Sequence, residues 1–156
     1  MINHFNQNIH YTSFLEIYQE KIAPQLESLD ILFKSMDTPL TIAEASQALY
    51  ISEQEIKHIM REYGIREIDR GALLCIMENG SSFICRLYQR ELHVGSPYVY
   101  SREDVSYIYT LPIDAVNHAC DELGAKELTA YTLPDLFGHV FDYAPCWVQD
   151  HIVHEP

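Results

Sequence analysis

Lys57 and Arg61 stand four residues apart in the stretch EQEIKHIMREY, so on a helix both cations fall on one face. Such a pair suits the oxygens of two phosphates, and the guanidinium also suits the acceptors of guanine in a major groove. Gln54 and His58 share the outward surface and, with Lys57, stand nearest to where base edges would lie. Arg66, Arg70, Arg86, Arg90 and Arg102 extend the cationic set, and Arg86 and Arg90 are again four apart. Seven of the ten basic residues lie between 57 and 102, against the five acids Glu62, Glu67, Asp69, Glu78 and Glu91, which leaves that window at +2. The rest of the chain sets three bases against eighteen acids, or −15. Residues 57–102 are therefore the region able to face phosphate. Glu53 and Glu55 stand at the start of the same helix, where a carboxylate repels phosphate but complements the helix dipole.

Other reactive side chains point less clearly to chemistry. His139, Cys146, His151 and His154, with Asp150 and Glu155, form the densest group of potential metal ligands. Their spacing matches no structural zinc pattern, and no metal or cofactor is expected. Cys75 and Cys120 read as small core residues. Cys85 sits beside Arg86, which would lower its pKa if it were exposed, so a redox sensor stands against a packed thiol, and the packed thiol is favoured. Tyr98, Tyr100, Tyr107 and Tyr109 are close enough in sequence to make a patch that binds a partner, stacks bases or fills a seam. No glycine-rich phosphate loop, nucleophile elbow or paired-carboxylate arrangement occurs, so an enzyme is not expected.

The elements that must position these residues come as a repeat. Residues 41–68 and 101–128 align without a gap at an offset of 60. Ser46/Ser106, His58/His118, Glu62/Glu122, Gly64/Gly124 and Glu67/Glu127 are identical pairs, and the match extends to Ile76/Leu136 and Met77/Phe137. Thr41 with Glu44 and Ser52 with Glu55 have capping-box spacing, which predicts a short helix, a tight turn and a second helix closed by Gly64. In the second copy Ser101 with Asp104 opens the first helix, Pro112 replaces Ser52, and Gly124 closes the unit. The segments IREI and AKEL that follow are expected to be short strands.

The expected architecture is mostly α: N-terminal helices over 1–40, a first helix-turn-helix repeat over 41–78, a linking helix and turn over 79–100, a second repeat over 101–138, and a tail over 139–156. Residues 11–36 have helical periodicity with a break at Pro24, which can open the second helix at its first turn, and Asp37-Thr38-Pro39 ends that helix; residues 82–93 are read as a linking helix behind Ser81 or Ser82. Thr132-Leu133-Pro134 starts a last short helix that ends near Gly138.

This pattern resembles the helix-turn-helix modules of bacterial transcription regulators, nearest the winged-helix and excisionase/MerR-like sort, in which a short strand follows the recognition helix. Ser46 and Ser106 occupy the position of the small residue that faces the second helix in those modules. Tyr50 and Thr110 stand where they usually carry glycine, a departure, because a bulky residue at positive φ is costly. The resemblance implies DNA binding and transcription regulation, through Gln54, Lys57, His58, Arg61, Arg66, Arg70, Arg86, Arg90 and Arg102.

Composition sets a second expectation beside the first. The formal charge is −13, whereas nucleic-acid binders usually carry a basic surface. The outward set of the second repeat, Asp114, Asn117, His118, Asp121 and Glu122, contains no cation. The alternative is an acidic protein-interaction module on the same scaffold, without DNA contact, and a homodimer suits either reading. The N-terminus has neither a basic start nor an apolar run, no stretch approaches a membrane span, and the cysteines show no CxxC pairing, so a cytoplasmic protein with reduced thiols is expected.

Overall fold

The computed structural model describes residues 12–124, 126–141 and 143, which are mostly helical. Packing divides the chain into two units, one built on residues 23–89 and the other on 12–22 together with 90–143.

Pro24 stands in the first turn of the second helix, as expected, but the chain ahead of it stays helical instead of breaking. Helix α1 (Phe14–Ile17) passes through a π-helical turn (Tyr18–Ile22) directly into α2 (Ala23–Ser35). Proline lacks the N–H for its helical bond and its ring crowds the carbonyl four residues back. The widened π turn just ahead of Pro24 relieves both problems, so the helix continues.

The first unit continues through α3 (Ile42–Leu49), α4 (Glu53–Tyr63), α5 (Arg70–Asn79) and the start of α6 (Phe83–Val94). The predicted caps set these boundaries. Thr41 Oγ1 accepts from the Glu44 N–H at 3.0 Å, and the Glu44 carboxylate accepts from the Thr41 N–H at 3.0 Å. These bonds favour the charged form and hold the Glu44 carboxyl below its usual pKa. Ser52 caps α4 and Ser82 accepts from the Cys85 N–H near the start of α6. Helix α5 is not announced by periodicity, because ALLCIM is a continuous apolar run; its start signal is Asp69, which accepts from the Ala72 N–H at 2.8 Å. Ala45, Leu49, Ile56, Leu73 and Ile76 meet in the core with no exposed surface.

The second unit contains α7 (Arg102–Tyr109), α8 (Ile113–Leu123) and α9 (Leu133–Phe137), packed with α1. Its centre is aromatic: the Phe137 ring lies 5.0 Å from Phe14, 4.9 Å from Tyr109 and 5.1 Å from Tyr18. Burial pushes the Tyr109 hydroxyl well above its ordinary pKa. The four tyrosines do not make one patch. Tyr109 is core, the Tyr100 hydroxyl donates to Glu91 at 2.8 Å, Tyr107 lies beside the His93 ring, and Tyr98 projects into solvent.

The units repeat one another in detail. Ser46 Oγ donates to the Ile51 carbonyl at 2.6 Å and Ser106 Oγ donates to the Leu111 carbonyl at 2.6 Å. Tyr50 (φ 57°) and Thr110 (φ 55°) both take the left-handed conformation where glycine would be cheaper, and Gly64 and Gly124 both have φ of 66°. Ile76, Leu136 and Phe137 are fully buried and Met77 nearly so, as the extended alignment requires. The structural repeat also exceeds the alignable one. Helices α2 and α6 begin at Ala23 and Phe83, again 60 apart, although Leu32/Leu92 is the one identity between them.

The strands expected after each second helix do not form, and no strand occurs among the described residues. IREI and AKEL each contribute one residue to an isolated antiparallel bridge, Leu40 with Ile68 and Tyr100 with Leu128. Each bridge is hemmed in by its neighbours. At the first bridge Pro39 has no N–H, Thr41 caps α3 and Asp69 caps α5; at the second Ser101 caps α7 and the Thr129 N–H donates to Thr132 Oγ1.

The buried Ser46 hydroxyl is the tie that closes the first turn. Ser46→Ala leaves the Ile51 carbonyl without it and is expected to lower stability by about 1–2 kcal/mol, more than the less buried Ser106→Ala. Urea denaturation of both variants measures this, and equal stability with the parent chain would show that the bond contributes nothing.

Candidate nucleic-acid interface

Helix α4 buries Ile56 and Ile59 and turns Glu53, Gln54, Lys57, His58, Arg61 and Glu62 outward. Lys57 and Arg61 form no hydrogen bond or ion pair among the described residues and are exposed, as is Arg66 beyond the helix. His58 Nε2 lies 3.5 Å from Glu62, one turn away on the same helix. Glu55 does not face outward with them. Its carboxylate accepts from the Ser81 N–H at 2.7 Å and from the Ser81 hydroxyl at 2.6 Å, so it ties α4 to the segment ahead of α6.

The remaining arginines are divided by what they find nearby. Arg70 donates from Nε to the Phe33 carbonyl at 2.7 Å and from Nη2 to the Met36 carbonyl at 2.6 Å, closing the C-terminal end of α2. Arg90 is half-buried and donates to the Ile108 carbonyl at 2.7 Å. Arg102 reaches Asp121 at 3.1 Å and Asn117 at 3.4 Å. Arg86 is exposed and spends Nε on the Ser81 carbonyl at 3.2 Å. The expected stripe of seven cations therefore does not stand free as a set. Arg70 and Arg90 are committed to the fold because each donates to backbone carbonyls brought beside it by packing, whereas Arg102 is held in a surface ion pair with the exposed Asp121.

Helix α8 holds the positions equivalent to α4 and presents Asp114, His118, Asp121 and Glu122 to solvent. His118 Nε2 lies 3.4 Å from the Glu122 carboxylate and His139 Nδ1 lies 3.8 Å from it. Of the tail residues weighed as potential metal ligands, Cys146, Asp150, His151, His154 and Glu155 lie outside the described residues. Among the described residues no three side chains are grouped to hold a metal ion.

The Cys85 thiol is fully buried, and burial pushes its pKa up to about 11. Arg86 lowers it only slightly, so adjacency in sequence does not make a reactive thiolate here. Gly80 is required beside it, because a Cβ there would lie 2.6 Å from the sulfur. In the folded protein at neutral pH, Cys85 is expected to resist a thiol reagent while the half-buried Cys75 reacts. Mass mapping after brief alkylation distinguishes the two sites, and preferential labelling of Cys85 would restore the sensor reading.

No family model, curated protein or solved structure matches the chain. No helix among the described residues is long and apolar enough to cross a membrane. The functional reading therefore rests on the side chains that the two units expose.

Proposed function

We propose that the chain is a small DNA-binding protein of the transcription-regulator kind that contacts duplex DNA with its first unit. In this reading α3, the turn at residues 50–52 and α4 act as a helix-turn-helix, and α4 enters the major groove. Lys57 and Arg61 take phosphate or guanine, Gln54 and His58 face base edges, and Arg66 and Arg86 add phosphate contacts. The observation that carries this reading is the exposure of Lys57 and Arg61 on one face of α4, unpaired among the described residues. Four cations per copy are few. Four phosphate contacts correspond to a slope of log K against log salt of about −3.6, so binding is strongest at low salt, and a homodimer would double the number of contacts.

A second reading, a protein-interaction module without DNA contact, is favoured by the acidic face of α8 and by the internal use of Arg70, Arg90 and Arg102. Selection of bound duplexes from a randomised pool, at low and then moderate salt, decides between them. Enrichment of a short motif supports the DNA reading. Recovery of no motif at either salt refutes it and leaves the interaction module.

A further inference from the structure

The two units differ where the second helix meets the segment after the last helix. In the first unit that seam is closed by polar bonds. Glu55 holds Ser81 through two hydrogen bonds, and the Tyr63 hydroxyl donates to Asn79 at 2.7 Å. At an offset of 60, Glu55 becomes Ala115, Ser81 becomes Phe141, Tyr63 becomes Leu123 and Asn79 becomes His139. None of the replacements can rebuild those bonds. A cleft of about 260 Å3 lies there instead, lined by Asp114, Ala115, His118, His139 and Phe141.

The lining states what would fill it. Asp114 supplies an acceptor charge at the cleft, and Glu122 adds a second carboxylate behind His118 and His139. Phe141 is about half exposed and offers an aromatic face. Carboxylate and ring together favour a planar cation, since a guanidinium stacks on an aromatic face and forks its donors towards a carboxylate, whereas an ammonium is a compact and strongly hydrated charge. The volume falls just below the roughly 300–1,000 Å3 of small-molecule pockets, which suits one long side chain. The unit that carries the cleft is also acidic: residues 12–22 and 90–141 contain ten acids and four bases. A basic partner is therefore drawn to it at long range.

We infer that the cleft between α8 and the segment after α9 is a socket for an arginine side chain on a partner protein. The socket does not depend on DNA binding by α4, because none of its residues belongs to that helix, so either reading can fail alone.

The probe is the tripeptide acetyl-Gly-Arg-Gly-amide, titrated into the full chain and followed by amide and imidazole NMR signals. Saturable shifts at Ala115, His118 and Phe141 are expected, with binding at least tenfold weaker for the citrulline peptide, which keeps the shape but lacks the charge. Asp114→Asn, on the exposed surface, is expected to weaken the arginine peptide several-fold. Ala115→Leu fills the cleft without changing charge and is expected to abolish the shifts. Absence of saturable shifts in the parent chain, or equal binding of the citrulline peptide, overturns the inference. So does unchanged binding in a folded Asp114→Asn variant, which remains decisive if Ala115→Leu does not fold.

Discussion

Reversing both Lys57 and Arg61 to Glu is expected to reduce affinity for a selected DNA duplex by at least about 100-fold near 0.1 M salt, because two phosphate contacts are lost and two repulsions are added. The slope of log K against log salt should become shallower by about 1.8, which a merely misfolded variant would not show as a defined change. The fold itself should be untouched. Both side chains are exposed, and Ile56 and Ile59, which anchor α4, lie on its other face. Arg70→Glu supplies the contrast. It should destabilise the first unit, through the carbonyls of Phe33 and Met36 left without their donor, before it affects any DNA contact. Fluorescence anisotropy with the selected duplex across a salt series is the measurement. Affinity unchanged by the double reversal would remove α4 as the DNA-contacting surface.

Phe137→Ala is expected to cost about 3–5 kcal/mol, the range for deleting a fully buried aromatic ring. Phe137 is the hub of the second unit's core, meeting Phe14, Tyr18 and Tyr109 at ring separations of 5.0, 5.1 and 4.9 Å. Those rings come from α1, the π turn and α7, so the cavity left behind cannot be filled by one neighbour shifting. Against a total stability of about 5–15 kcal/mol for a typical domain, such a loss leaves the unit near its unfolding midpoint. Urea denaturation followed by near-ultraviolet circular dichroism, which senses the packed tyrosines, tests this. A loss below about 1 kcal/mol would mean that the aromatic cluster is not the core that the structure shows.

Much of the helical order was legible because its signals are local. The capping pairs at Thr41/Glu44, Ser52/Glu55 and Ser101/Asp104 sit where helices begin, and Gly64 and Gly124 sit where two of them end. The outward set of α4 followed from helical spacing around Ile56 and Ile59. Each of these effects acts within about one turn of backbone, the distance over which residue order translates directly into geometry. Pro24 marks the first turn of a helix, as its fixed φ allows, but the break read ahead of it is a π turn, which leaves no distinct mark in composition. The strands misled because the propensity of IREI says nothing about how little chain remains between two capped helices.

The sequence by itself determined the repeat, its caps and the exposed cations of α4. Only the tertiary structure decided which cations remain available. Arg70 finds its acceptors 37 and 34 residues away, at Phe33 and Met36, and Arg90 finds Ile108 across a bend in the chain. The same holds for the seam that Glu55 and Ser81 close in one unit and Ala115 and Phe141 leave open in the other. A long side chain can reach whichever unmet carbonyl or carboxylate packing brings beside it, and packing depends on the whole fold rather than on spacing along one helix.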